Sequence, residues 1–189
     1  MGLVGARTGH FRFESGHHGE LWLDLDAVAW SAAALDPVVA DLAQRIERYA
    51  PDAVCGPLVG GAFLAQLIAA RLGVGFAHAE RVSAGDGGLY SARYALPAAL
   101  AHRLTGARVA VVDDVVNAGS ATRATARSLR DAGAEVVVLA AMLALGDLPR
   151  AAAAELGVPL EAAAARGNAL WEPAGCPRCA RGEPLLTGT

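Results

Sequence analysis

Asp113 and Asp114 are adjacent carboxylates at the end of an apolar run, Arg108-Val-Ala-Val-Val-Asp113-Asp114. Two like charges where a buried strand meets solvent are costly unless they accept hydrogen bonds from hydroxyls or face a cation. A sugar diol meets that need. Val115 and Val116 lead on into Asn117-Ala118-Gly119-Ser120-Ala121, a turn small enough for its backbone N–H groups to close around a phosphate. The helix that follows points its positive end at the same anion. An acidic pair beside a phosphate cradle suits a phosphorylated ribose.

The elements that must position these groups are a strand and a crossover helix. Val109 to Val112 has the length and β-branching of a central parallel strand, and Thr122 to Ala132 has helical composition. Ligands of such sheets sit at the carboxyl ends of the strands. A second unit repeats the pattern: Ala53-Val-Cys55-Gly56-Pro is a strand, Leu58-Val59-Gly60-Gly61 a glycine-rich turn, and a helix runs from about Ala62 to Leu72. Two small-residue anion turns on neighbouring strands support each other.

The hydrophobic run, the two acids and the small-residue loop together resemble the 5-phosphoribosyl-1-pyrophosphate (PRPP) motif of type I phosphoribosyltransferases. The resemblance implies an α/β fold with a mostly parallel twisted sheet flanked by helices, a small N-terminal hood and a mobile lid. It implies transfer of the phosphoribosyl group from PRPP to a nitrogenous base with release of pyrophosphate. In that reading Asp113 and Asp114 hold the ribose hydroxyls and stabilise the cationic sugar. The backbone from Val115 to Ala121, with the Ser120 hydroxyl, holds the 5′-phosphate, and Leu58, Val59, Gly60 and Gly61 present N–H groups to pyrophosphate. Mg2+ arrives bound through PRPP, with no dedicated protein metal site, and members of the family commonly form homodimers.

The N-terminal segment is closest to orotate phosphoribosyltransferases. Phe11, Phe13, Ser15, Gly16 and Trp22 stand where that family has a phenylalanine-rich strand, a Ser-Gly turn and an aromatic strand over the base. Alternating apolar residues from Phe11 to Leu25 predict two short strands, a hood over about residues 8–27. His17 and His18 point apart on a turn and read as solvated hood-tip residues. Asp36-Pro37 predicts a helix start, with Val38, Val39, Leu42, Ile46 and Tyr49 as its apolar stripe. Val82 to Pro97, polar and glycine-bearing, reads as a lid, closing to exclude water during turnover. Val136 to Leu145 is a further buried strand, bringing Gly146 and Asp147 to the ligand edge beside the base, and Gly133 is the residue after the preceding helix. Residues 1–189 read as one domain, with a core over about 36–160 and a tail over about 167–189. The tail carries Cys176-Pro-Arg-Cys179, half a zinc knuckle. Cys55 or a histidine of a second copy are the conceivable further ligands, and a compact turn without metal is the preferred reading.

The chain departs from orotate enzymes in its basic residues. Those enzymes use lysines before the Ser-Gly turn, in the pyrophosphate loop and around the lid, together with a lid histidine. Here Glu14, Gly60 and a lid without lysine or histidine stand instead, and the chain contains no lysine at all. The arginine that grips the orotate carboxylate is replaced by Gly146 or Asp147, although Arg150 is in reach. Either Arg81 and Arg93, with Tyr90 or Tyr94 assisting, neutralise the leaving pyrophosphate, or the chain binds PRPP or a nucleotide as a regulator. Orotate leads among the bases, with a different base the alternative. A net charge of −3 gives no electrostatic footprint for nucleic acid. No uncharged apolar stretch is long enough to span a membrane and Met1 to Thr8 lacks a signal-peptide core, so the expected compartment is the cytoplasm.

Overall fold

A strand that is apolar on both faces must be covered by helices on both sides. The computed structural model, which describes residues 5–25, 30–83, 89–90 and 92–186, has that arrangement. The chain begins with β1 (Gly5–Arg12), β2 (His18–Asp24), α1 (Ala32–Glu47), β3 (Ala53–Pro57), α2 (Gly60–Leu72) and β4 (Gly75–Ser83). It continues through β5 (Arg93–Ala95), α3 (Ala98–Leu104), β6 (Arg108–Val116), α4 (Ser120–Asp131) and β7 (Glu135–Leu145). The last elements are α5 (Leu148–Leu156), β8 (Leu160–Arg166), β9 (Leu170–Trp171) and the single turn α6 (Pro177–Ala180).

Six strands form the main sheet in the order β5-β4-β3-β6-β7-β8. All its pairings are parallel except that of the edge strand β5 with β4. Side chains of β6 alternate between two cores: Ala110 and Val112 pack with Leu42, Ile46, Leu64 and Ile68 of α1 and α2, whereas Val109 and Val111 pack with Ala126 and Leu129 of α4. A second, antiparallel sheet, β1-β2-β9, forms the hood. Its third strand comes from the tail, so the first and last parts of the chain build one wall. Among the described residues no helix is long and apolar enough to cross a membrane.

Two expectations change at this level. Helix α1 starts at Ala32, not at Pro37, because the Ser31 hydroxyl accepts a hydrogen bond from the Ala34 N–H at 3.2 Å and caps the helix one turn earlier. Pro37 then lies inside the helix. Part of the expected lid is regular: β5 returns antiparallel along β4, placing Tyr94 opposite Arg81. Gly85, Gly87, Gly88 and Ser91 of that segment lie outside the described residues. The edge strand β8 carries a buried carboxylate, Glu161, which the Tyr49 hydroxyl reaches at 2.6 Å and the Arg48 guanidinium pairs with. That pairing ties the end of α1 to the sheet.

Replacing the cap by Ser31→Ala removes one N-terminal hydrogen bond, a loss of ~1 kcal/mol. The expected result is a melting temperature lower by about 2–4 °C for a chain of this size, read by calorimetry. No change would mean that Ser31 does not set the helix start.

Candidate active site at the carboxyl ends of the sheet

Asp113 is buried at the end of β6 and Asp114 is half-buried beside it. Backbone geometry supplies part of their solvation: Asp113 Oδ1 accepts from the Asp114 N–H at 3.0 Å, and Asp114 Oδ1 from the Val115 N–H at 2.7 Å. Burial, reinforced by the neighbouring Asp114 charge, pushes the Asp113 carboxyl well above the usual carboxylate range.

The first turn of α2 lies directly against this pair. A Cβ on Gly61 would stand 2.6 Å from Asp113 Oδ1 and 3.0 Å from the Val112 carbonyl, and one on Gly60 would collide with the Asp114 carboxylate. Both positions therefore require glycine for reasons of space. The N-terminus of α2, at Val59, has no side-chain cap, and neither has that of α4, where Gly119 takes a left-handed conformation with φ 77°. Each end leaves backbone N–H groups available to an anion. Ser120, only 8% exposed, has a buried hydroxyl with no hydrogen-bond partner in the protein. A buried hydroxyl at an uncapped helix N-terminus is a group waiting for an acceptor.

Asp113, Gly119 and Ser120 border a cleft of about 270 Å³ between the main sheet and the hood. The phosphate-loop side is Val115 to Ala121 with Asp113, and the opposite wall is Phe13, Glu14, Ser15, Leu21, Trp22, Leu23 and Leu25. Phe13 and Trp22 lie parallel, 4° between planes and 6.1 Å between centroids, giving the hood a flat aromatic surface. At the mouth, Glu14 receives Arg81 Nε at 3.2 Å and the Tyr94 hydroxyl at 3.1 Å. Burial and the Glu14 and Asp113 charges push the Tyr94 phenol upward, so it stays a hydrogen-bond donor across the physiological range.

The Phosphoribosyl transferase domain profile matches residues 31–158, about two-thirds of the chain. The chain belongs to the phosphoribosyltransferase family. An orotate phosphoribosyltransferase of Caldanaerobacter subterraneus is 28% identical over 178 residues, covering 94% of this chain and 87% of the relative. Among solved structures, the orotate phosphoribosyltransferase of Aeropyrum pernix superposes with a TM-score of 0.62 at 24% identity, covering 85% of this chain and 87% of that one. An adenine phosphoribosyltransferase of Trypanosoma brucei, in complex with AMP, pyrophosphate and ribose-5-phosphate, gives 0.67 at 17% identity, covering 86% and 76%. The family profile spans the main sheet and its helices, and the likeness to the Caldanaerobacter enzyme extends over nearly the whole chain.

Against this phosphoribosyltransferase frame, Asp113, Asp114, Gly60, Gly61 and the loop Val115–Ala121 are brought together, and Phe13, Ser15 and Trp22 face them. Leu58 and Val59 project exposed side chains at the start of α2, and Gly16 makes the hood turn with φ 81°. Arg81 reaches the mouth but is engaged by Glu14, while Arg93 is exposed at the start of β5 and does not line the cleft. Asp147 is a correction: Gly146, at φ 67°, turns the chain so that Asp147 becomes the exposed residue before α5, away from the cleft lining. His17 and His18 are corrections too, since both are buried. His17 packs on Tyr90 and bonds the Ser15 hydroxyl at 3.1 Å.

Two positioning residues escaped the sequence reading. Arg123 of α4 is buried, bonds the Ala118 carbonyl, pairs with Glu155 at 2.7 Å and lies under the Tyr90 ring, so it braces the phosphate loop from beneath. Asn168 donates to Asn117 Oδ1 at 3.0 Å, holding the loop from the tail side. Neither contact has a local sequence signal, because the partners lie on different elements.

The raised Asp113 pKa has a measurable cost. The folded state holds this proton more tightly than the unfolded chain, so the group's contribution to stability is complete below the unfolded value of ~3.9 and is lost as pH rises through the folded value. Asp113→Asn keeps the acceptor for the Asp114 N–H and removes the charge. We expect it to raise the melting temperature near neutral pH by more than about 2 °C, with the gain shrinking toward pH ~4. A pH series of thermal melts reads this directly; a loss of stability at every pH would contradict it.

Proposed function

We propose that the cleft catalyses transfer of the 5-phosphoribosyl group from PRPP to a ring nitrogen of a base, orotate being the leading candidate. The observation that carries this reading is the acidic pair held against the Gly60-Gly61 turn on one side and the partnerless Ser120 hydroxyl on the other. In this reading a ribose diol would lie against the acidic pair, with an anion at each of the two turns. In the reaction the bond from the anomeric carbon to a pyrophosphate oxygen breaks with its electron pair, a nitrogen lone pair forms the new bond, and any proton on that nitrogen is lost. Asp113 and Asp114 would hold the sugar hydroxyls and stabilise positive charge on the ring, each charge-assisted bond contributing about 1.5–3 kcal/mol. The uncapped ends of α2 and α4 would take pyrophosphate and 5′-phosphate.

Magnesium fits the donors present: Asp114 turns a hard carboxylate oxygen toward the Gly60 side, where the pyrophosphate of PRPP would lie. When bound it spreads the negative charge of the leaving group. The hood's aromatic surface suits a planar base. We also propose a homodimer, because Leu58, Val59 and Phe63 expose an apolar patch where α2 begins. A cytoplasmic setting, where PRPP is made, and a single domain complete the reading.

A second reading, a PRPP-binding regulator or an enzyme for another base, draws on two observations. Arg81 is tied to Glu14 rather than turned to the anion sites, and none of the described residues lining the cleft is an arginine or histidine to meet a carboxylate. Incubation with PRPP, magnesium and a panel of bases, following pyrophosphate and nucleotide together, separates these readings. Base-dependent release that falls at least ~100-fold in Asp113→Asn with Asp114→Asn supports the transferase. PRPP binding without turnover supports the regulator, and neither would end the PRPP reading.

The Glu14–Arg81 pair yields a finer expectation. If Arg81 serves the leaving group, Glu14→Gln raises kcat/KM for PRPP by up to about fivefold, since an exposed pair is worth no more than ~1 kcal/mol. Arg81→Met lowers it. Steady-state kinetics with PRPP varied would show the two changes in opposite directions, and changes in the same direction would remove Arg81 from the site.

A further inference from the structure

The tail brings Cys176 and Cys179 against two histidines of the hood, His10 on β1 and His18 at the start of β2. We propose that these four residues form a tetrahedral metal site for zinc that staples the tail to the hood. From sequence alone a turn without metal is preferred, since Cys176 and Cys179 are half a zinc knuckle and need two further ligands. Cys55 is buried in β3, its thiol pushed up to about 12 by desolvation, and takes no part in the cluster.

The geometry is that of a coordination polyhedron. The four donor atoms all lie within 4.8 Å of one another. His10 Nε2 is 3.2 Å from His18 Nδ1, 3.4 Å from Cys176 Sγ and 3.8 Å from Cys179 Sγ, and Cys179 Sγ is 3.2 Å from His18 Nδ1. For Zn–N of about 2.05 Å and Zn–S of about 2.3 Å, the edges of a regular tetrahedron are ~3.3 Å between nitrogens and ~3.6 Å between nitrogen and sulfur. The nitrogen pair falls within about 0.1 Å of its expected edge and the three nitrogen–sulfur distances bracket theirs. Hydrogen bonding alone explains the cluster poorly, because one imidazole lone pair on His10 Nε2 would have to satisfy three neighbours at once.

Surroundings agree with a structural site. His10, His18 and Cys176 are 2%, 5% and 3% exposed. The other ring nitrogen of His10, Nδ1, donates to the Glu183 carbonyl at 2.8 Å, which fixes the tautomer that leaves Nε2 free to ligate. Arg178, between the two cysteines, pairs with Glu183 at 2.6 Å and with Glu20 of β2 at 3.2 Å, joining tail and hood a second time. Two thiolates and two imidazoles select a borderline-soft cation over magnesium or calcium, and four protein ligands leave no open position for chemistry. The site's role is therefore to hold β1 and β2, and with them Phe13, Ser15 and Trp22, in place over the cleft. This inference is independent of which base is used.

The test is elemental analysis of the untagged full chain purified from zinc-supplemented cells, paired with cobalt spectroscopy. We expect about one zinc per chain, and on cobalt exchange the ligand-field intensity of a tetrahedral site with a thiolate-to-cobalt charge-transfer band. Cys176→Ser with Cys179→Ser, and separately His18→Gln, should lose the metal. Chelation of the wild-type chain should lower the melting temperature by more than about 5 °C and open Arg178 and Arg181 to trypsin. Because the cobalt and chelation readouts use the wild-type chain, they remain decisive if a variant fails to fold. A metal-free chain carrying a Cys176–Cys179 disulfide, or a cobalt spectrum without the charge-transfer band, would overturn the proposal.

Discussion

Two carboxylates at the end of a buried strand repel each other and have lost much of their hydration, and the structure around β6 is arranged to keep them there. Backbone N–H groups of the next residues bond them locally. The glycines at 60 and 61 let α2 approach until its backbone nearly touches the carboxylates. The N-termini of α2 and α4 both end near the pair, and each contributes the positive end of its dipole. What remains is an imbalance, concentrated at Asp113, which a cationic sugar ring would relieve. A site of this kind is stable enough to fold and uncomfortable enough to bind.

The second constraint is the wall above that pair. A two-stranded hairpin is marginal on its own, and β1 and β2 acquire a third strand from the tail. The bridge from Phe11 to Leu186 and the bond from the Leu186 N–H to the His10 carbonyl at 2.7 Å extend the same attachment. The aromatic surface facing the phosphate loop is thus braced from behind by residues about 160 positions away in sequence. The aromatic wall of the cleft depends on that long-range bracing, whereas the acidic pair and the uncapped helix ends depend on short strand-turn-helix units.

This division explains what the sequence made legible. The strand Val109–Val112, the acidic pair, the phosphate loop and the glycine turn before α2 were readable because each is contiguous and each residue type has a local mechanical reason. The start of α1 is not legible because Asp36-Pro37 has the form of a helix start, whereas the cap that operates is Ser31, five residues earlier, which accepts from the Ala34 N–H. Asp147 stands at the expected end of β7, but after the left-handed turn at Gly146 it is exposed and outside the cleft lining. The pairing of Glu14 with Arg81, the brace from Arg123 to Glu155 and the meeting of His10 and His18 with the two tail cysteines had no local signature. Such contacts are properties of packing, and periodicity does not report them.

The order of strands in the hood has a consequence for how the protein comes into being. Synthesis runs from β1 toward β9, so the sheet from β3 to β8, with its acidic pair and both anion turns, can assemble while the hairpin still lacks its third strand. Only when residues 170–186 emerge can the hood close its edge. The acidic pair and the uncapped helix ends would then exist before the aromatic wall that faces them. At that stage the acidic pair stands at the end of the sheet while the hood above it lacks its third strand, so the cleft between them is completed by a late segment of the chain.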